Sequence, residues 1–282
     1  MEQNVLNHVE VLNILPDRDC FAHKGNFGKL LLLCGSKGYT GAAALASLGA
    51  LRSGAGLVYL GVPESIYDIM AVKLTEPVIF PLPDAGGMLS SDAVKAVASL
   101  LPKVDAVLMG PGLGQSEGTR DVVKYVLINY TGPVVLDADG INLIKHHKDI
   151  LRGRTGITIL TPHKGEFIRL GFTLSGDRIA DASAAAKQLK SIMVLKGHKT
   201  VITNGYDCYV NPTGNPGMAV GGSGDVLAGM ITALLGQGIE PLQAAAVAAW
   251  LHGAAGDRCA ESIGQYGMLP SDMLCVLPRL MK

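Results

Sequence analysis

A dense run of glycines, Gly-Gly-Ser-Gly, ends at Asp225 and leads directly into a helix-like pattern of small apolar residues. It lies within NPTGNPGMAVGGSGDVLAGM, residues 211–230. Glycine costs conformational entropy on folding, so this density indicates a backbone that approaches something closely or adopts an unusual conformation. A glycine turn that opens a helix presents adjacent N–H groups at the positive end of the helix dipole, where phosphate oxygens bind.

Asp225 falls in the first turn of that predicted helix. A carboxylate at this position could simply compensate the helix dipole. Beside a bound phosphoryl group, the same carboxylate could accept the proton of an attacking hydroxyl and so act as a general base. The residue types therefore favour phosphoryl transfer with Asp225 as the base.

Further polar residues follow apolar segments that we predict to be strands. Ligands bind outside the carboxyl ends of the strands in open parallel sheets, so these residues should converge on one edge. They occupy positions 35–38, 110–114, 137–140, 161–163 and 196–200.

Each of these segments also has a plainer interpretation. GPGLG, residues 110–114, could be only a tight strand-to-helix corner, and it does not match the GxGxxG dinucleotide fingerprint. Asp137 and Asp139 could cap a helix that begins near Gly140.

Two basic residues leave similar alternatives open. Thr161-Pro162 resembles an N-cap followed by a first-turn proline, which would make His163 incidental. Lys196 could be a solvated strand end, although it stands between an apolar pair and a glycine.

The elements that must position these residues follow an alternating pattern. Continuous apolar strands separated by helical segments predict an α/β fold with a mostly parallel central sheet and helices on both faces. Strands are predicted at 29–35, 56–63, 104–110, 132–140, 156–162 and 192–197, with helices at 40–55 and 64–74. Residues 200–211 predict a hairpin on one edge of the sheet, and helices are predicted at 224–236, 240–260 and 270–281. We expect about eight or more strands and a single domain, 1–282.

Composition excludes several classes of protein. The 24 acidic and 24 basic residues balance, so no global field attracts nucleic acid or an anionic membrane. Five dispersed cysteines show no metal-binding spacing, which favours free thiols in a reducing compartment. The N-terminal residues lack the pattern of a signal peptide, and no apolar run approaches the roughly 18 residues of a membrane span. We expect a soluble cytoplasmic protein.

Seven segments, in order and at ordinary spacings, resemble the NAD(P)H-hydrate dehydratase family, and GGSGDVLAGM resembles the anion-hole and catalytic-base motif of ribokinase-like kinases. The seven are HKGNFGKLLLLCGS, TGAAALASLGALRSGAG, GPGLG, LDADGIN, LTPHKGEF, VLKGHKTVI and NPTGNPGMAVGGSGD. The resemblance runs from about Cys20 to the last residue. Lys164 stands where the family commonly has proline, and Ser223 where it commonly has threonine.

The resemblance implies a ribokinase-like fold and the repair of hydrated NADH or NADPH, in which water has added to the nicotinamide ring. In such enzymes ADP phosphorylates the ring hydroxyl of the S-epimer, AMP leaves, and loss of phosphate restores the reduced ring. Asp225 would remove the hydroxyl proton. Mg²⁺ is expected at the phosphates, near Asp137 or Glu166, although its ligands are not assigned.

The same resemblance implies roles for further residues. The hydrated nucleotide would contact Gly41, Ala42, Ala43, Gly112, His163 and Asp225. The AMP part of the donor would contact Lys196, Gly197, His198, Lys199, Thr200 and Gly224. The N–H groups of Gly222, Ser223 and Gly224 would form the anion hole. A homotetramer is also implied, together with a functional pairing with a separate NAD(P)H-hydrate epimerase, because the epimerase domain that precedes this one in some relatives is not expected here.

Two other functions remain open. A ribokinase-like kinase of a vitamin precursor, such as hydroxyethylthiazole, would share Asp225 and the glycine turn, but would not be expected to carry HKGNFGK together with TPHKGE. A non-catalytic nucleotide sensor on the same fold would more readily have lost Asp225.

Overall fold

Ten strands form one central sheet in the computed structural model, which describes residues 3–282. Their order across the sheet is β1-β12-β11-β10-β9-β8-β7-β2-β3-β4, and β11 alone runs antiparallel to both of its neighbours. A separate two-stranded ribbon pairs β5 with β6. The strands are β1 Gln3–Asn4, β2 Lys29–Leu33, β3 Leu57–Pro63, β4 Val78–Leu82, β5 Asp84–Ala85, β6 Met88–Leu89, β7 Ala106–Met109, β8 Val134–Leu136, β9 Thr158–Leu160, β10 Ile192–Leu195, β11 Val201–Thr203 and β12 Cys208–Val210.

The six strands predicted between residues 29 and 197 all form, and all six run parallel in the sheet. The pattern missed β4, which contains Pro81 and occupies an edge, where a missing N–H is tolerated. The predicted hairpin 200–211 forms as β11 and β12 and extends the sheet beyond β10, and the two-residue strand β1, which was not predicted, pairs with β12 outside it.

Twelve α-helices and several short 3-10 turns connect the strands within residues 3–282. The helices are α1 His8–Ile14, α2 Thr40–Arg52, α3 Tyr67–Lys73, α4 Ala93–Leu100, α5 Glu117–Asn129, α6 Ala138–Ile144, α7 Lys148–Gly153, α8 Lys164–Arg169, α9 Arg178–Leu189, α10 Ser223–Gly236, α11 Pro241–Ser262 and α12 Pro270–Leu280. The three predicted C-terminal helices are confirmed to within two residues at each end.

The alternating side chains of β2 show how the sheet divides the core. Leu30 and Leu32 pack into the cluster formed with α2, α10, α11 and α12, whereas Leu31 and Leu33 pack into the cluster formed with α4 to α9. All four side chains are fully buried. Burying one leucine side chain stabilises the folded state by about 1.5–3 kcal/mol relative to leaving it exposed. Helices therefore cover both faces of the sheet, as the continuous apolar strands predict.

Close contact between α2 and α10 places the start of α10 at the carboxyl edge of the sheet. A Cβ atom on Gly49 would lie 2.6 Å from the carbonyl oxygen of Val226. A Cβ atom on Gly222, whose φ is 96°, would overlap the side chain of Leu45. The glycines are thus required both for helix packing and for the left-handed turn that opens α10. Within residues 3–282, no helix combines the length and the apolar character that a membrane crossing needs.

Candidate active site

A buried ion pair lies where β8 and β10 end. Lys196 Nζ is 2.7 Å from Asp137 Oδ1, which also accepts a hydrogen bond of 2.6 Å from Thr161 Oγ1. Asp137 stands at the N-cap position of α6, but its side chain makes no capping hydrogen bond. The alternatives that Asp137 is a helix cap and that Lys196 is a solvated strand end are therefore both wrong.

The first turn of α10 lies directly above this pair. Ser223, Gly224 and Asp225 are its first three residues, as the glycine pattern predicts. A Cβ atom on Gly224 would lie 3.1 Å from Lys196 Nζ and 3.9 Å from Asp137 Oδ2. A larger residue at Gly224 would therefore crowd both charged groups.

The N–H groups of this turn differ in what they already bind. The Ser223 N–H donates to the Val220 carbonyl over 3.3 Å, so this predicted anion-hole donor already has an acceptor. Within residues 3–282, the N–H groups of Gly222, Gly224 and Asp225 donate no hydrogen bond. These three groups, at the positive end of the helix dipole, can receive phosphoryl oxygens.

Burial and the neighbouring carboxylates make Asp225 a basic carboxylate. Burial, followed by the negative charges of Asp137 and Glu166, raises the pKa of Asp225 to about 6, although Lys196 opposes the shift. Burial by itself would lower the pKa of Lys196, but the carboxylates of Asp137, Glu166 and Asp225 outweigh it and raise that pKa. Lys196 thus stays protonated, while Asp225 can gain and lose a proton near neutral pH.

His163 itself occupies the N-cap position of α8. The alternative in which Thr161 is the N-cap and Pro162 lies in the first turn is therefore wrong. Its Nδ1 accepts hydrogen bonds from the N–H groups of Gly165 and Glu166, at 2.9 and 3.2 Å. Glu166, 4% exposed, accepts in return from the His163 N–H at 2.8 Å. Because Nδ1 accepts, the ring proton lies on Nε2, and the half-exposed ring can still face a ligand.

The predicted substrate-facing residues of α2 are not equivalent. Gly41 and Ala42 are partly exposed in its first turn, whereas Ala43 is fully buried, so a contact between the Ala43 side chain and a nucleotide is excluded. Gly112, at φ 63°, lies against this turn, since a Cβ there would lie 2.9 Å from the Cβ of Ala42 and 2.8 Å from that of Tyr39.

Residues 196–200 form a preformed loop after β10. Thr200 Oγ1 donates to the Gly197 carbonyl over 2.9 Å, and Lys199 adopts a φ of 53°. Gly197, His198 and Lys199 are exposed. The guanidinium of Arg178 donates to the carbonyl oxygens of Leu195, Lys196 and His198, at 2.8, 3.2 and 3.0 Å. The loop can therefore receive a nucleotide without being ordered first.

A divalent cation has suitable donors here. Mg²⁺ prefers oxygen ligands and usually combines one or two carboxylates with waters and substrate phosphates. Asp137 engages Oδ1 with protein partners, whereas Oδ2 is directed toward Gly224. Among the described residues, no closed group of three or more metal-binding side chains occurs. The residues therefore fit an ion that is shared with donor phosphates.

Two residues that contact the site were not predicted from the sequence. Nothing in the local pattern of α9 distinguishes Arg178 from a solvated helix residue. His252 is 8% exposed within the Ala-rich helix α11, and a polar residue at a buried position of such a helix is a signal that could have found it.

A glycine turn on a helix N-terminus and a preformed loop at the carboxyl edge of a mostly parallel sheet define a ribokinase-like α/β protein, which confirms the predicted fold class. The NAD(P)H-hydrate dehydratase family model matches residues 30–279. The chain belongs to that family, as the seven sequence segments predict.

Similar proteins with assigned activities are found in bacteria. The chain is 39% identical to an ADP-dependent (S)-NAD(P)H-hydrate dehydratase of Bacillus subtilis, over 95% of this chain and 94% of that protein. It is 44% identical to a bifunctional NAD(P)H-hydrate repair enzyme of Moorella thermoacetica, over 95% of this chain and 52% of that protein. The chain thus spans about half the length of the bifunctional relatives that it matches.

The fold is also shared with a solved structure. An ADP/ATP-dependent NAD(P)H-hydrate dehydratase of Bacillus subtilis, co-crystallized with ATP and Mg²⁺, superposes with a TM-score of 0.87 at 36% identity. The match covers 99% of this chain and 98% of the other.

Proposed function

We propose that this chain uses ADP to dehydrate the S-epimer of hydrated NADH or NADPH, restoring NADH or NADPH and releasing AMP and phosphate. The observation that carries the proposal is the position of Asp225, a carboxylate of raised pKa on the turn whose unengaged N–H groups lie above the Asp137–Lys196 pair. The family and the named activity of the Bacillus subtilis relative support the choice of substrate.

Asp225 takes the proton of the ring hydroxyl, and the hydroxyl oxygen forms a bond to the terminal phosphorus of ADP. The bond from that phosphorus to the AMP oxygen breaks, and AMP leaves. The N–H groups of Gly222, Gly224 and Asp225 stabilise the charge on the transferred phosphoryl group. Phosphate, a better leaving group than hydroxide, then departs with loss of a ring proton, and the double bond of the reduced ring is restored.

The remaining residues divide between the two ligands in this proposal. Gly41, Ala42, Gly112 and His163 line the surface that receives the hydrated nucleotide. Lys196 and the loop 197–200 hold the AMP part of the donor, beside Gly224. Asp137, and Glu166 behind it, would hold a Mg²⁺ ion together with the donor phosphates, and that ion would neutralise part of their charge.

We also infer that residues 1–282 act as one domain, that four copies assemble, and that an epimerase supplies the S-epimer. The bifunctional naming of the Moorella thermoacetica relative supports the link to an epimerase. Sedimentation measures the assembly directly, and a monomer at working concentration contradicts the tetramer without affecting the reaction.

One assay tests the reaction. Hydrated NADH is incubated with the protein, Mg²⁺ and ADP, and recovery of the absorbance of the reduced ring is followed. Recovery that requires all three is expected. Phosphorylation of hydroxyethylthiazole without that recovery indicates the kinase alternative, and nucleotide binding without either reaction indicates a sensor.

A further inference from the structure

A buried histidine contacts the first residue of α10, where the glycine turn ends. His252, on α11, is 8% exposed. Its Nε2 lies 2.9 Å from the carbonyl oxygen of Ser223 and 3.3 Å from Ser223 Oγ. His252 thus reaches the first residue of α10, one position before Gly224.

The short contact fixes the tautomer of the ring. A carbonyl oxygen can only accept a hydrogen bond, so Nε2 must carry a proton and donate it to Ser223. Burial lowers the pKa of His252 to about 4, with Lys196 contributing and the hydrogen bond to Ser223 opposing. At neutral pH the ring is therefore uncharged, and its one N–H is engaged by the Ser223 carbonyl.

The Ser223 carbonyl and the Gly224 N–H belong to one planar peptide unit. Because that unit is trans, the oxygen and the hydrogen point in opposite directions, and a donor that holds the oxygen also fixes the direction of the N–H. A hydrogen bond to the carbonyl further polarises the amide, which makes its N–H a stronger donor.

We propose that His252 is a positioning residue that aims the Gly224 N–H at the transferred phosphoryl group by holding the Ser223 carbonyl. The inference rests on the proposed function for the identity of that group, and it adds a residue that contacts neither ligand. Elsewhere on α11, Asp257 accepts hydrogen bonds from the Gly214 N–H and from Asn215 Nδ2, at 2.8 and 3.0 Å, in the loop that precedes the glycine turn.

Four variants separate positioning from packing. His252→Leu removes the donor, His252→Gln places an amide N–H near the position of Nε2, and His252→Asn is polar but too short to reach. Thr232→Val is the matched control, because it removes another buried side-chain hydrogen bond of α10, the 2.7 Å bond from Thr232 Oγ1 to the Ala228 carbonyl, away from the first turn.

Each variant is measured for kcat with hydrated NADH, for thermal midpoint, and for the dissociation constants of ADP and AMP in the presence of Mg²⁺. AMP lacks the terminal phosphoryl group, so the ratio of the two constants reports on its site. Loss of an oxyanion donor costs about 10²–10³ in kcat, and we expect His252→Leu and His252→Asn to lose about tenfold or more. Their preference for ADP over AMP should also fall while AMP affinity is retained, and His252→Gln should recover most of both.

The proposal is overturned if folded His252→Leu keeps both its kcat and its preference for ADP and only its thermal midpoint falls, as in Thr232→Val. Equal losses in the Gln and Asn variants also overturn it, and this comparison serves if the Leu variant does not fold. A parent protein without dehydratase activity contradicts the proposed function instead, and the nucleotide preference then still decides the role of His252.

Discussion

Lys196 Nζ lies 2.7 Å from Asp137 Oδ1, across the end of the strand β9 that separates β8 from β10. The Asp137 carboxylate is almost completely buried, and the Lys196 side chain is 19% exposed. The pair partly neutralises a cluster that also contains Glu166 and Asp225. Its geometry links the stability of the sheet edge to the acidity of the proposed base.

Breaking this pair should destabilise the protein more than removing it. Lys196→Met leaves a buried carboxylate whose remaining side-chain partner is Thr161, and loss of one member of a buried pair costs about 3–5 kcal/mol. The double variant Asp137→Asn with Lys196→Met should recover much of that loss. Denaturant unfolding of the parent, both single variants and the double variant measures the coupling, and additive losses contradict it.

Lys196 should also contribute to donor binding. Lys196→Ala is expected to raise KM for ADP by a larger factor than it lowers kcat, because the ammonium group lies beside Gly224, below the proposed phosphate position. The control is Lys95→Ala, an equal change of charge on the exposed surface of α4. If the KM for ADP is unchanged in folded Lys196→Ala, Lys196 does not bind the donor and has only a structural role.

The donor itself is a separate prediction. We expect a larger kcat/KM with ADP than with ATP, since the Bacillus subtilis relative at 39% identity is named ADP-dependent. Initial rates with each nucleotide, at matched Mg²⁺ and saturating hydrated NADH, measure the ratio. A larger value with ATP contradicts the donor preference and leaves the reaction intact.

The sequence predicts the site better than it predicts the contacts within it. The carboxyl-end rule of parallel sheets brings Asp137, Thr161 and Lys196 to one edge without any knowledge of their partners. Their pairing could not be predicted, because Asp137 and Lys196 are 59 residues apart and an aspartate before a helix has the same local pattern whether it caps or binds a lysine.

The errors have similar physical causes. Ala43 was placed with Gly41 and Ala42 because a motif match does not resolve which side of a helix turn faces the core, and here Ala43 is fully buried. The strand β1 was missed outside the hairpin 200–211 because its two residues carry no periodic signal. The polar residue His252 in an Ala-rich helix could have been noticed, but its contact with Ser223 joins residues 29 positions apart, which local patterns do not encode.

The rate should depend on pH through Asp225. Its pKa in the folded protein is about 6, so the carboxylate that accepts the proton predominates only above that pH. We expect kcat/KM to rise between pH 5 and 7 with an apparent pKa of about 6. A rate that is constant across this range contradicts the assignment of Asp225 as the base.

Replacing Asp225 by asparagine should separate catalysis from stability. Asparagine keeps the shape of the side chain but cannot take the hydroxyl proton, and loss of a general base typically costs about 10²–10⁴ in rate. A residue that only compensated the helix dipole would instead contribute about 0.3–1 kcal/mol to stability and little to kcat.

The stability of Asp225→Asn should change in the opposite direction to that expected for a helix cap. The pKa of Asp225 rises from 3.8 to about 6 on folding, so the folded protein holds the proton more tightly and its stability falls as pH increases between these values. Above pH 6 the ionised carboxylate costs roughly 3 kcal/mol at most, and asparagine removes that cost. We therefore expect a nearly inactive variant that binds ADP and melts above the parent at pH 8, with the difference vanishing toward pH 4. Near-parental kcat together with a lowered midpoint would show that Asp225 is a structural residue of α10, and the proposed mechanism would need another base.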